Sequence, residues 1–249
     1  MKEGIPISTI RKSYMARFVG RCAVLVACAY LCVAAPGQMD ILQGWSFFHK
    51  LSVLHVLWLI WVGDMVLQLI PAKQNLSLGS KKLFAQYFRP AQLKTDLLAL
   101  KQYIVSTTRS AYRIMLLWAA LIAALGVCYF KGWMNDTALF MTSVLFYVCD
   151  LICVLFWCPF RLLLKNRCCT TCRIFNWDHV MMFTPMLFVR GFFSYSLLAL
   201  SLVVWVAWEL SVLMHPERFW WQSNETLQCV NCTDKLCTHY CQKLRPEKK

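Results

Sequence analysis

Long apolar stretches alternate with shorter polar stretches along most of this chain. Each of five apolar stretches is close to the ~20 helical residues that cross ~30 Å of hydrocarbon. Because no water at that depth can bond the backbone, and because these stretches lack the alternation of a barrel strand, each is predicted to be an α-helix. The predicted fold class is all-α, a polytopic membrane helix bundle of about five transmembrane helices plus amphipathic interfacial helices. The predicted spans cover residues 18–36, 51–71, 114–130, 138–160 and 192–214.

Two further segments carry apolar residues without the length of a span. Between residues 81 and 112, apolar residues recur at helical spacing among lysines and arginines, and Arg89-Pro90 interrupts the pattern. This predicts two amphipathic helices, which either lie on an anionic leaflet or form an ordinary cytoplasmic hairpin. Residues 180–189 are short and contain Pro185, so they are predicted to be an interfacial helix or a re-entrant piece. A sixth crossing there would move the C-terminal tail to the cytoplasm.

The composition of the chain is that of a membrane protein, and the distribution of its lysines and arginines predicts its orientation in the membrane. Hydrophobic residues make up 59% of the chain, charged residues only 15%, and the mean hydropathy is +0.51. A soluble globular domain does not have this composition. Eighteen of the 26 Lys and Arg precede or open the first span or lie in segments 72–113 and 161–191, which the positive-inside rule makes cytoplasmic. Five spans then predict a multi-pass protein of the cell (inner) membrane, with its N-terminus inside and its C-terminus outside.

The predicted organisation has two parts. Residues 1–214 form the transmembrane bundle, with cytoplasmic loops at 72–113 and 161–191, and residues 215–249 form a cysteine-rich tail. The first span is interpreted as an uncleaved anchor, because its charged lead-in is long and Pro36 obstructs cleavage. The predicted partners are the lipid bilayer, anionic lipids at the basic loop and another membrane protein, and no nucleic acid.

Four cysteines lie within fifteen residues at the predicted cytoplasmic edge. Thiolates are soft metal ligands and redox centres, and neighbouring arginines favour the deprotonated form. Four thiolates can close a tetrahedral zinc site or hold an iron–sulfur cluster, and Asp178 or His179 can replace or orient a ligand. The alternatives left open are a thiol redox pair and reduced, structurally inert cysteines. The predicted ligands are Cys158, Cys168, Cys169, Cys172 and His179.

A resemblance to known sequences lies in the same region. Residues 157–160 read WCPF and residues 166–179 read NRCCTTCRIFNWDH. This stretch, about a tenth of the chain, resembles segments of small, uncharacterised, multi-spanning bacterial membrane proteins. The resemblance implies a bacterial membrane protein and brings no activity with it.

The tail carries a second group of cysteines in a C-x2-C-x4-C-x3-C spacing. An oxidising compartment outside the cell would favour two disulfides, whereas zinc is the better prediction inside. Four cysteines allow three pairings, and the sequence does not choose among them. The residues predicted to form disulfides or bind a metal are Cys229, Cys232, Cys237 and Cys241.

Acidic residues inside predicted spans need an explanation, because an ionisable group there costs about 2.5–3.5 kcal/mol on insertion scales. Asp64 is predicted to pair with Arg21 of the first span, which makes its role mainly structural. Asp150 has no evident basic partner, which makes it the predicted functional acid, a proton or cation site. Glu209 lies near the outer end of the last span and is predicted to snorkel.

Cys149 and Cys153 flank Asp150 four residues apart, so both lie on one helical face. They are either ordinary packing residues or part of a soft-metal path. Enzyme templates are lacking: the sequence has no phosphate-binding glycine loop, no HExxH and no nucleophile with a base in the same segment. The predicted function is metal binding, in soft-metal transport or as an electron-transfer subunit. The alternatives are a thiol–disulfide oxidoreductase that uses the tail cysteines and a non-catalytic structural subunit.

Overall fold

A computed structural model describes residues 9–71, 82–91, 96–164 and 168–231. Within these ranges the chain is helical and contains isolated backbone bridges but no β-strand. The predicted all-α fold class is confirmed. The eight α-helices are α1 (Thr9–Ala34), α2 (Ser46–His49), α3 (Leu54–Leu69), α4 (Leu97–Phe130), α5 (Asp136–Leu155), α6 (Phe160–Leu164), α7 (Asp178–Phe183) and α8 (Phe192–Met214).

Each of the five predicted spans corresponds to one of these helices. Four of them, α1, α4, α5 and α8, are long and apolar enough to cross a membrane, and α3 is a shorter apolar helix of 16 residues. The α4 helix has 34 residues and begins where the Asp96 side chain accepts a hydrogen bond from Leu98 N. The second predicted amphipathic helix is therefore the first part of α4.

The first predicted amphipathic helix is wrong where the structure describes it. Residues 82–91 contain 3-10 structure at Lys82 and at Ala85–Tyr87, and no α-helix. Pro90 disfavours a helical conformation in the residue before it. The backbone pairs with a distant segment instead, because Ala91 N donates to Ser223 O at 3.0 Å and Glu225 N donates to Arg89 O at 2.9 Å.

The main core surrounds Trp61 of α3. This side chain is fully buried, and its ring contacts four aromatic rings from three other elements at centroid distances of 5.1 to 6.3 Å. Burial of such large rings contributes most of the packing energy of a core. The four rings belong to Phe140, Tyr147, Phe183 and Phe193.

Residues 178–191 extend from one end of the helix packing to the other. The segment begins after Trp177, whose Nε1 donates to Glu209 Oε1 near the end of α8 at 2.8 Å. It continues through α7 and a 3-10 turn, Thr184–Phe188. It finishes at Gly191, which pairs with Gly44 between α1 and α3. Residues 180–189, predicted to be an interfacial helix or a re-entrant piece, therefore lie alongside α8, from near its C-terminal end to its N-terminal end.

Glycine is required where this segment finishes. Gly44 N donates to Arg190 O at 2.7 Å, and Phe192 N donates to Gly44 O at 3.1 Å. A Cβ atom built on Gly191 would lie 2.1 Å from the Leu42 carbonyl oxygen. Only a residue without a side chain permits this approach of the two backbones.

The residues after α8 fold back onto the segments that precede α4. Arg218 Nη1 donates to Leu83 O at 3.0 Å. The Trp220 ring stacks on Tyr103, near the start of α4, with centroids 5.8 Å apart. The described part of the tail therefore lies at the same end as residues 82–91 and the start of α4.

Candidate functional site

A cavity of about 260 Å³ lies between α5, α7 and the segment that joins them. We name it the cysteine-lined cavity, because five thiol groups are on its wall. Met181 and Met182 of α7 add two thioethers, and aromatic and aliphatic side chains form most of the remainder. The five cysteines are Cys149, Cys153, Cys158, Cys169 and Cys172.

Local geometry brings these thiols together. Cys149 and Cys153 are one helical turn apart on α5, and α5 ends shortly before Cys158. A 3-10 turn at Cys169–Thr171 then reverses the chain, with Cys172 N donating to Cys169 O at 3.1 Å. Three of the four cysteines predicted to share a site therefore do line one cavity. Cys168 is not part of its wall.

The described residues contain no group of three or more His, Cys, Asp or Glu side chains placed to hold a metal ion. Zinc or an iron–sulfur cluster at Cys158, Cys168, Cys169 and Cys172 therefore stays a prediction. His179 is not in the cavity wall. Its Nδ1 lies 3.2 Å from Asp178 Oδ1 and 3.2 Å from Gln68 Nε2, in the lining of a second cavity.

The cavity thiols differ in acidity. The Cys153 thiol donates a hydrogen bond to Cys158 Sγ, which lowers the pKa of Cys158 to about 7, with help from the backbone N–H groups of Phe160 and Arg161. Burial raises the pKa of Cys172 to about 12 and also raises the pKa of Cys169. Near neutral pH, Cys158 is therefore partly a thiolate while Cys169 and Cys172 are thiols.

A second cavity, of about 140 Å³ and more polar, adjoins the first. We name it the polar chamber. Asp150, Val154, Phe175 and Asp178 border both cavities. Two carboxylates and two apolar side chains therefore lie between the chamber and the cysteine-lined cavity. Its charged and amide-bearing side chains are Arg17, Arg21, Asp64, Gln68, Asp150, Asp178 and His179.

The predicted pairing of Asp64 with Arg21 is wrong. Arg21 Nη1 donates to Asp150 Oδ2 at 2.6 Å and to Tyr147 O at 2.7 Å. The physical reason is that α1 packs mainly along α5, so the guanidinium reaches the acid of α5 first. Asp150, which the sequence left without a partner, is the ion-paired acid.

Glu209 does not snorkel. Arg173 donates to it through Nη1 to Oε1 at 2.8 Å and through Nη2 to Oε2 at 2.5 Å. Trp208 Nε1 also donates to Arg173 O at 2.9 Å. These bonds attach the segment that carries Cys172 to the end of α8. Sequence reasoning missed the pair because its partners are 36 residues apart.

The tail cysteines Cys232, Cys237 and Cys241 lie outside the described residues, as does the side chain of Cys229. Disulfides or a bound metal in the tail therefore stay a prediction. No protein-family model matches the chain, and no curated protein or solved structure is significantly similar to it. Functional inference about this chain therefore depends on its own residues.

Proposed function

We propose that this chain is a multi-pass membrane protein that binds a soft metal ion in the cysteine-lined cavity. The observation that carries the proposal is the convergence of five thiols and two thioethers on the wall of one apolar cavity. Sulfur ligands select soft ions such as Cu(I) over hard ions such as Mg²⁺.

Cys153 and Cys158 have the chemistry of a two-coordinate site. Their hydrogen bond holds one proton between two sulfur atoms. A monovalent soft ion that replaces this proton gives a bridge in which both sulfurs ligate the ion, and the proton is released to solvent. The bridge carries one negative charge, which the nearby Arg161 cation stabilises, as it already stabilises the Cys158 thiolate. Such a site needs only two sulfur ligands.

The proposed topology has six crossings, with both ends of the chain in the cytoplasm. It is supported by the contacts of residues 178–191, which run from Glu209 at one end to Gly44 at the other. A short, broken helix is tolerated at membrane depth where protein surrounds it, and Met182, Phe183 and Met186 are buried. This differs from the five-span prediction, which put the C-terminus outside.

The distribution of basic residues also favours six crossings. If residues 178–191 cross the membrane, three of the 26 Lys and Arg lie on the outer side. In the five-span topology, eight of them lie on the outer side. The tail cysteines are then on the same side as Cys168 and Cys172, where zinc is favoured over disulfides. The three outer basic residues are Lys50, Lys131 and Arg190.

The metal proposal is tested by titrating Ag(I), a soft monovalent ion, into the reduced, full-length protein in detergent and counting bound ions after desalting. Cys153→Ser and Cys158→Ser are each expected to bind one ion fewer than the wild type. Cys128→Ser, which removes a thiol of α4 outside the cavity, is the matched control and should bind the wild-type number.

Thiols of the tail also bind silver, so the titration is repeated in a full-length background with all four tail cysteines replaced by serine. The proposal predicts that the difference between Cys158→Ser and Cys128→Ser persists there. Equal binding by these two variants in that background would show that the cavity is not a metal site.

A further inference from the structure

The side chains of Cys153 and Cys158 are in contact at the point where α5 ends. Cys153 lies in the last turn of α5, and Cys158 follows Leu155, the final residue of that helix, after two intervening residues. The Cys153 thiol donates a hydrogen bond to Cys158 Sγ. Because Cys158 belongs to no helix, a movement of residues 156–158 is enough to close a disulfide while α5 stays intact.

The two sulfurs have different surroundings. Backbone N–H groups of Phe160 and Arg161, together with the Arg161 cation, stabilise negative charge on Cys158 Sγ. The thiolate is the nucleophile in disulfide chemistry. Cys158 is therefore the sulfur that attacks an oxidant, and Cys153 is the sulfur that completes the disulfide.

Aromatic rings line the cysteine-lined cavity beside this pair. Trp118 of α4 and Phe146 of α5 have ring centroids 4.9 Å apart, and Phe160 and Phe175 also belong to the wall. The indole N–H of Trp118 already has a partner, because Nε1 donates to Thr184 Oγ1 at 2.9 Å. Trp118 therefore presents only apolar ring surface to the cavity.

The two carboxyl groups of the wall each have a partner. Arg21 binds Asp150 at 2.6 Å, and His179 Nδ1 lies 3.2 Å from Asp178 Oδ1. Apart from its thiols, the cavity therefore suits an uncharged, flat and apolar molecule. Apolar cavities of roughly 150 Å³ hold a benzene ring in other proteins. The cysteine-lined cavity, at about 260 Å³, has room for a substituted ring.

We propose that Cys153 and Cys158 are a redox-active dithiol and that the cysteine-lined cavity admits a lipid-soluble quinone that oxidises them. A quinone ring is flat, uncharged and soluble in a bilayer. It accepts two electrons, which is the number that formation of one disulfide releases. This activity goes beyond the soft-metal site and needs no bound ion, although a metal ion and the quinone compete for the same sulfurs.

The atoms and electrons of this reaction balance. Cys158 Sγ attacks the quinone ring and forms a sulfur–carbon bond. Cys153 Sγ then attacks Cys158 Sγ, so the disulfide forms while the sulfur–carbon bond breaks and its electron pair enters the ring. The two ring oxygens take up two protons, one from the Cys153 thiol and one from the Cys158 thiol or, where Cys158 is already a thiolate, from solvent. The products are one disulfide and one hydroquinone.

The probe is a benzoquinone with a decyl chain and no ring hydrogen, so that thiols form no stable adduct with it. The full-length protein carries serine at all four tail cysteines, and it is reduced and treated with a chelator in detergent. We expect each chain to reduce one quinone and to lose two free thiols. Peptide mass spectra should then contain a Cys153–Cys158 disulfide.

Matched variants in the same background test the pair and the cavity separately. Cys153→Ser and Cys158→Ser are each expected to reduce no quinone, whereas Cys128→Ser, which removes a thiol of α4 outside the cavity, should reduce as much as its parent. Cys149→Phe keeps both redox sulfurs and fills part of the cavity, so it should lose most of the rate with the quinone. Diamide, a small water-soluble thiol oxidant, should still form the disulfide in Cys149→Phe, which shows that the pair itself is intact.

Equal quinone reduction by Cys153→Ser and its parent would overturn the proposal. A Cys153–Cys158 disulfide that forms with diamide but not with the quinone would also overturn it, because the cavity would then not admit this oxidant. The assay contains no metal ion and the silver titration contains no oxidant, so the failure of one proposal is distinguishable from the failure of the other.

Discussion

Arg21 of α1 and Asp150 of α5 form an ion pair in which Nη1 and Oδ2 lie 2.6 Å apart. The Arg21 guanidinium also lies 4.0 Å from the centroid of the Tyr147 ring. The two side chains are 14% and 25% exposed, so neither charge is fully hydrated. The pair therefore fixes α1 against α5, and removal of one partner leaves the other without compensation.

Arg21→Met is expected to destabilise the protein by about 3 kcal/mol, because it leaves the Asp150 carboxylate unpaired. The double variant Arg21→Met/Asp150→Leu should recover most of this loss, since no charge is left in the pair. Denaturant unfolding in detergent measures both. The exposed pair Lys50–Asp40 is the control, where Lys50→Met should cost less than about 1 kcal/mol. A double variant as unstable as Arg21→Met would contradict the pairing.

Reporter proteins fused before Met1 and after Lys249 are expected to give the same result, active in the cytoplasm. This follows from the six-crossing topology and its basic-residue distribution. A tag inserted at Gly132, between α4 and α5, should be accessible only from the opposite side. Opposite results from the two terminal fusions would restore the five-span arrangement.

Gly191→Ala is expected to destabilise the protein by about 1–3 kcal/mol, because the new Cβ would overlap the Leu42 carbonyl oxygen. Gly63→Ala in α3 is the matched control. Nothing lies within 4 Å of a Cβ at Gly63, so this change should be neutral or stabilising by roughly 0.5–1 kcal/mol. Thermal midpoints compare the two. An unchanged thermal midpoint in Gly191→Ala would show that the backbone of Gly191 does not pair with Gly44.

Alkylation of Cys158 by iodoacetamide is expected to rise with pH and to reach half its maximum near pH 7, because the thiolate is the reactive form. Cys153→Ala removes the thiol that donates to Cys158 Sγ and should move this midpoint to higher pH. Mass spectrometry of digested protein measures each site separately. Cys172, with a pKa of about 12, should stay unmodified at pH 7. An unmoved midpoint in Cys153→Ala would exclude the hydrogen bond as the cause.

Lys82→Met is expected to stabilise the protein at pH 7. Lys82 is 3% exposed, its Nζ lies 5.3 Å from the centroid of the Trp208 ring, and burial lowers its pKa to about 8. The unfolded chain, with a lysine pKa of about 10.4, therefore binds more protons between these two values, so wild-type stability rises with pH from about 8 to about 10. Denaturant midpoints at pH 7 and pH 9.5 should show this rise in the wild type.

The rise should be smaller in Lys82→Met, which has no amine to deprotonate. Lys101→Met removes an exposed lysine of α4 and is expected to leave both the midpoint and its pH dependence unchanged. If Lys82→Met and Lys101→Met behave alike, the buried amine makes no contribution to the pH dependence.

The helices of this protein follow from local patterns in its amino-acid sequence. An apolar run of sufficient length forms a helix because all its backbone hydrogen bonds are local, so composition alone predicts it. Each predicted span is a helix, and α3 and α8 begin within a few residues of the predicted positions. The sequence also identified the cysteines of 158–172 and the one-turn spacing of Cys149 and Cys153, because both are local patterns.

The contacts between distant residues, in contrast, follow from how the helices pack. Hydropathy predicts that α1 and α3 are helices but contains no information about which helix α1 packs against. The sequence therefore predicts an Arg21–Asp64 pair, whereas Arg21 binds Asp150. The length of residues 180–189 and their proline predict an interfacial or re-entrant piece, but the length of a segment does not show whether other helices surround it, which is the condition under which a broken helix is tolerated at membrane depth. The cysteine-lined cavity likewise depends on the end of α5 and the turn at Cys169–Thr171 being held against α7. These contacts join residues far apart in the chain, and long-range packing depends on the shapes of whole helices rather than on any local pattern.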